Sequence, residues 1–320
     1  MRPGAGPRVA CIGECMVELR AAPGGLLHRG WGGDTLNTAV YLARLGVPVD
    51  YVTALGDDPW SAEMLAGWQA EGIGTSLVHR IPGALPGLYA IQTGPDGERR
   101  FLYWRDSAAA RRLFDHLDPQ ALHAFGVLYL SGITLSIFDD AARATLLRAL
   151  AEARGRGAQV VFDTNFRPHG WPDPAEARRL YARAFAMADL VLASCEDLAL
   201  LYGGAGEGEL LRHAAAGTEV ALKLDQPGSR VFHQGTEQRI AAPPVVGVVD
   251  TTAAGDSFAA AYLAARLRGA APADAARAGH ALAGIVVQHS GAVIPKDAVS
   301  DARPGAPSAA PSPAPHEAPP

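Results

Sequence analysis

The sequence predicts an α/β fold, a mostly parallel sheet with helices on both faces and a small β-sheet lid over a cleft. Three observations predict it. Short apolar runs alternate with helix-length amphipathic stretches along most of the 320 residues. In the N-terminal third that rhythm is broken by two β-like insertions lying near each other. Apolar residues at 48% against 19% charged supply material for a sizeable core.

In chain order, residues 8–12 read as the first strand. Asp34 or Thr35 caps a helix running to Leu45, with Leu36, Ala39, Val40 and Ala43 on one face and Gly46 as the stop. Residues 49–54 read as a strand and 59–71 as a helix opened by Pro59. Residues 88–93 and 99–105 alternate and are joined by Gly94-Pro95-Asp96-Gly97, a hairpin signal. With the irregular β-like stretch 16–29 they are expected to form the lid, spanning about 14–31 and 86–106. The α/β rhythm resumes at 127–131, with strands at 160–163, 190–193 and 219–224 and a loop over 164–172. A hairpin over 231–240, a short strand at 245–249 and helices at 255–267 and 273–287 follow. One domain over 1–300 is expected, then an Ala/Pro/Ser-rich tail, 301–320, expected to be disordered.

Composition removes several function classes. A formal charge of −5 offers no basic field for nucleic acid or anionic lipid. The three cysteines, Cys11, Cys15 and Cys195, make no paired disulfide framework and favour a reducing compartment. Cys11 and Cys15 lack the second Cys/His pair of a zinc site and read as small buried residues. The N-terminal residues have no signal-peptide core, and no apolar run is long enough for a bilayer, so a cytoplasmic location is expected. Neither Lys223 nor Lys296, the two lysines, is followed by Ser or Thr, so there is no P-loop. Thr35 stands where a dinucleotide fingerprint after Gly30 would need its third glycine. Zincin, nucleophile-elbow and protein-kinase motifs are also absent.

The segment Asp250-Thr-Thr-Ala-Ala-Gly-Asp256-Ser-Phe258 runs from small residues into an apolar helix. A small-residue turn at a helix start lets backbone N–H groups approach an anion, and the helix dipole favours it. There Asp256 fits two roles: a base beside a phosphate, or an ordinary acidic first-turn residue. Arg105 on the expected lid and Arg167 in a strand-end loop suit a carboxylate or ATP phosphates, or are surface charges. Lys223 reads equally as a phosphate contact or a strand-end charge. Tyr89 and Tyr103 read as ligand contacts on opposite hairpin arms or as half-buried strand aromatics.

The segment 250–258 resembles the Asp-Thr-x-Gly-Ala-Gly-Asp signature of the ribokinase-like (PfkB) carbohydrate kinases, and Gly32-Gly33-Asp34-Thr35-Leu36-Asn37 resembles that family's sugar-binding turn. The resemblance runs to about residue 298. Tyr103-Trp104-Arg105 and Phe162-Asp163-Thr164-Asn165-Phe166-Arg167-Pro168 are most like the branch acting on 2-keto-3-deoxygluconate. It implies a three-layer ribokinase-like fold and ATP-dependent phosphorylation of a sugar acid. It implies Asp256 as base, Ala253, Ala254 and Gly255 as anion hole, and Gly33, Asp34, Asn37, Tyr89, Tyr103, Arg105 and Arg167 at the sugar acid. Asn165, Arg167, Ser194, Lys223, Gly228 and Gly255 would line ATP. Mg²⁺ is implied, with Glu196 or Asp197 reaching it through water, and K⁺ is a further candidate. Self-association through the lid sheet edge is expected. A kinase for a neutral sugar and a non-catalytic sugar or nucleotide sensor are the rival readings. Two departures stand out. Ala253 replaces a family glycine and is expected in an αR- or β-compatible turn. The family's Asn-x-x-Glu appears as Ser194-Cys195-Glu196-Asp197.

Overall fold

The computed structural model describes residues 6–93 and 99–302. Its strands are β1 (Val9–Ile12), β2 (Met16–Ala21), β3 (Leu27–Gly32), β4 (Val49–Gly56), β5 (Val78–Ile81), β6 (Leu88–Thr93) and β7 (Arg99–Trp104), then β8 (Val127–Ser131), β9 (Gln159–Asp163), β10 (Leu190–Ser194), β11 (Glu219–Lys223), β12 (Gly228–His233) and β13 (Thr236–Ala241). The helices are α1 (Asp34–Arg44), α2 (Pro59–Ala70), α3 (Gly132–Ile137), α4 (Asp140–Gly155), α5 (Pro174–Met187), α6 (Cys195–Tyr202), α7 (Gly206–His213), α8 (Ala254–Leu267) and α9 (Pro272–Val286).

The large sheet has the order β13-β12-β11-β10-β9-β8-β1-β4-β5. It is parallel from β11 to β5, and the β12–β13 hairpin adds an antiparallel edge. Strands such as Val-Leu-Tyr-Leu-Ser in β8 are buried along their whole length, because helices cover both faces. One core layer packs α1, α2, α8 and α9 against the sheet, and the other packs α4 to α7. Side-chain caps start the helices where the sequence supplies them: Asp58 before Pro59, Asp139, Asp173 before Pro174, and Ser131 in a capping box with Thr134. The smaller sheet, β3-β2-β6-β7, is built from the two N-terminal insertions.

The structure differs from the sequence reading at several points. Residues 245–249 form no strand. Pro243 and Pro244 remove two ladder donors and Gly247 turns at φ 75°, so Val246, Val248 and Val249 stay exposed. Helix α1 is capped by Gly33, with Asp34 already in its first turn. Strand β5 was not anticipated, since its four residues carry no continuous apolar run. The hairpin turn at 94–97 lies outside the described residues, as does most of the tail. Asp301 and Ala302 still belong to a 3₁₀ turn, Asp297–Ala302.

Candidate active site

The C-terminal ends of the parallel strands gather the charged residues, where open α/β sheets place their ligands. Two helix starts meet above them. At α1, Gly33 passes so close to the chain behind it that a Cβ there would lie 2.1 Å from the Glu14 carbonyl oxygen. Only glycine fits that approach. One turn on, Asn37 donates from Nδ2 to Oδ2 of Asp256 at 2.8 Å, tying α1 to α8. The amide oxygen of Asn37 is buried with no partner.

Asp250 organises the turn that enters α8. Its carboxylate accepts from the backbone of Thr252 (2.8 Å) and Gly291 (2.9 Å), fixing the turn to the segment after α9. Ala253 then adopts φ 60°, ψ 15°. This corrects the expectation of an αR- or β-compatible alanine. The family glycine position keeps its left-handed backbone, at roughly 1–2 kcal/mol for an L-residue. A left-handed residue followed by αR residues turns successive N–H groups to one side, an anion-binding concavity. Ala254 bonds Thr251 oxygen at 3.2 Å, whereas among the described residues no acceptor takes the N–H of Ala253 or Gly255. Of the three N–H groups expected to form an anion hole, two are therefore unengaged and one is not.

Asp256 stands in the first turn of α8 and is partly exposed. Burial, then the like charges of Asp34 and Asp163, push its carboxyl up to about 7, against the Asn37 bond and Lys223. A carboxylate held near neutrality is suited to accept a proton.

On the lid side, Tyr89 and Tyr103 face each other across β6 and β7 with ring centroids 6.1 Å apart. Tyr103 also stacks on His169 at 4.9 Å, so the loop after β9 touches the small sheet. The Tyr89 hydroxyl donates to Glu18 at 2.5 Å. Arg105 is ion-paired with Glu14, whose carboxyl is raised by burial despite that partner. The clamp expected from Arg105 is thus already engaged by an internal acid.

The residues expected at the nucleotide lie in the loop after β9 and at the ends of β10, β11 and β12. Asn165, at φ 28°, donates to Asp34 at 2.8 Å. Arg167 reaches Asp197 at 3.1 Å and keeps about half its side chain open. Asp197 is buried and also accepts from Thr164 at 2.7 Å, while Glu196 points to solvent. Ser194 caps α6 through the Asp197 N–H. Lys223 ends β11 opposite Ser229, and Gly228 starts β12, its carbonyl accepting from Leu224 at 3.1 Å. Thr38, Tyr129 and Asp163 belong to the same network but were not singled out from sequence. Tyr129 lies inside an apolar run, and only the strand-end position of Asp163 signalled it.

The chain's residues 7–298 match the description pfkB family carbohydrate kinase. The chain belongs to the pfkB family of carbohydrate kinases. It is 45% identical over 305 residues to the 2-dehydro-3-deoxygluconokinase of Dickeya dadantii, covering 91% of this chain and 98% of that one. The 2-dehydro-3-deoxygluconokinase of Escherichia coli K12 is 42% identical over 306 residues, with the same coverage. Among solved structures, fructokinase with bound ATP from Xylella fastidiosa superposes with a TM-score of 0.80 at 23% identity, over 92% of this chain and 96% of that one. The pfkB chain thus has the ribokinase-like fold. Among the described residues no helix is long and apolar enough to cross a membrane. An open depression of about 790 Å³ beside Arg154, Gln159 and Asp189 lies at the other end of the strands and holds none of the site residues.

Proposed function

We propose that this pfkB chain transfers the γ-phosphoryl group of ATP to the terminal C6 hydroxyl of 2-keto-3-deoxygluconate, giving the 6-phosphate. The observation that carries it is the meeting of the α1 and α8 starts, with Asp256 facing the α1 turn beside unpaired N–H groups. Names and identities of the relatives above support the acceptor. In this reading the sugar acid lies between Gly33, Asp34 and Asn37 and the aromatic pair Tyr89 and Tyr103. Arg167 faces its carboxylate or the phosphates. Asp256 takes the hydroxyl proton, the oxygen–phosphorus bond forms in line, and the bond to ADP breaks. The Ala253 and Gly255 N–H groups face the charge on the transferring group.

Among the described residues no three His, Cys, Asp or Glu side chains cluster to cage a metal. That suits Mg²⁺, which stays hydrated and is held largely by substrate phosphates. Asp197 is the buried carboxylate placed to hold it through water, and bound Mg²⁺ supplies neutralisation of phosphate charge. K⁺ near the α8 turn, a cytoplasmic location and self-association belong to the same reading. Leu27, Phe101 and Trp104 leave large apolar surface exposed on the small sheet for a second copy.

A neutral acceptor is the second reading, favoured by the Glu14 partner that occupies Arg105. An ADP-release assay over sugar acids and neutral sugars, with Mg²⁺ and K⁺ varied, separates them. Faster turnover on fructose or ribose than on any sugar acid would overturn the first.

A further inference from the structure

Asp163 is a buried carboxylate with no part in the reaction just described. It ends β9, is 3% exposed, and lies on the sheet face covered by α1 and α8. Pleat parity places Tyr129 of β8 and Lys223 of β11 on that same face, since Ser131 pairs with Asp163 and Leu192 aligns with both Asp163 and Ala221. The Tyr129 hydroxyl donates to Asp163 Oδ2 at 3.1 Å. The Lys223 Nζ lies 3.9 Å from Asp163 Oδ1.

The Lys223 ammonium sits directly below the α8 turn. A Cβ on Gly255 would stand 3.3 Å from Nζ, and the Phe258 ring centroid lies 5.9 Å away. A lysine head on a flexible four-carbon stem needs an anchor to stay at one point. Among the described residues Asp163 is the carboxylate within ion-pair reach of it. At 3.9 Å the pair is an electrostatic tether rather than a hydrogen bond, so the three ammonium donors remain available for phosphate oxygens. The tether has its own support. Thr38 Oγ1 lies 3.2 Å from the Tyr129 oxygen and 3.3 Å from the Asp256 carbonyl oxygen, which connects the floor of the sheet to the first turn of α8.

We propose that Asp163 is a positioning residue for phosphoryl transfer, holding the Lys223 ammonium under the anion hole with Tyr129 fixing the Asp163 carboxylate. It rests on the reading of the α8 turn as the phosphate site. Asp163 touches no reactant and acts through Lys223.

A double-mutant cycle on the full chain tests it, with kcat and both KM values from ADP release and folding followed by thermal unfolding. Asp163→Asn is expected to lower kcat about tenfold, within the coupling range of contacting residues, with the acceptor KM little changed. Lys223→Met should lower kcat at least as much. In the Lys223→Met background, Asp163→Asn should cost nothing further. Equal losses in both backgrounds would overturn the proposal, as would a raised acceptor KM at unchanged kcat. If Asp163→Asn fails to fold, Tyr129→Phe, which removes one hydroxyl, carries the same cycle with a smaller loss. Full activity of Lys223→Met would instead sink the phosphate-site reading, so the two failures are distinguishable.

Discussion

Helices α1 and α8 begin alike and end up chemically different. Each opens after a small residue and carries an aspartate in its first turn, Asp34 in one and Asp256 in the other. Asp34 accepts a hydrogen bond from the Asn165 side-chain amide. Asp256 accepts one from Asn37, and burial, then the like charges of Asp34 and Asp163, lift its carboxyl to about 7. The same local signal therefore yields a hydrogen-bond partner of Asn165 at one helix start and a carboxyl with a raised pKa at the other. What separates them is the set of neighbours delivered by other strands.

The sharpest break in that comparison is substitution of each aspartate. Asp256→Asn should lower turnover by about 10²–10⁴, the range of general-base catalysis, with ATP binding retained. Asp34→Asn should lose far less. Equal losses in the coupled assay, or near-wild-type turnover of Asp256→Asn, would erase the distinction.

The pH profile measures the difference next. A base must be unprotonated, so kcat/KM should rise with pH through about 7. Removing the Asp34 charge removes a cause of the raised value, and the limb of Asp34→Asn should move to lower pH. An unmoved limb would show that the two helix starts do not sense each other.

Stability gives a smaller effect of opposite sign to activity. A carboxyl with a raised folded pKa binds its proton more tightly when folded. That contribution is complete below the unfolded value near 3.8 and is lost as pH rises through about 7. Asp256→Asn stays neutral and keeps an acceptor for Asn37. Its melting temperature should exceed wild type by on the order of 2 °C at pH 8, with the gain vanishing near pH 4. The smallest effect belongs to the α8 turn itself. Ala253→Gly relieves the left-handed alanine and should stabilise by about 1 kcal/mol in denaturant melts, with turnover within about twofold.

Much of this was legible in the residues. Apolar runs located β1, β4, β8, β9, β10 and β11, since strands buried on both faces read as continuous hydrophobic stretches. The small-residue turn before Asp256 and the glycine pair at Gly32 and Gly33 marked both helix starts. The apolar run 245–249 misled, because Val246, Val248 and Val249 carry strand propensity without a neighbouring strand to pair. Glu14 was invisible as the partner of Arg105, as was Tyr129 as a support for Asp163, because each pairing joins residues far apart in the chain.

The sequence by itself determined the layered α/β order, the two turns that start α1 and α8, and the set of residues expected at phosphate and sugar. Periodicity, glycine and helix-start chemistry are local, and local chemistry is what a sequence states. The tertiary structure alone decided that Ala253 takes a left-handed backbone, that Asp197 is buried while Glu196 is exposed, and that the Asp256 carboxyl is pushed up to about 7. Backbone handedness in a tied turn, side-chain direction on a packed helix and the field at a carboxylate all depend on what other segments bring near.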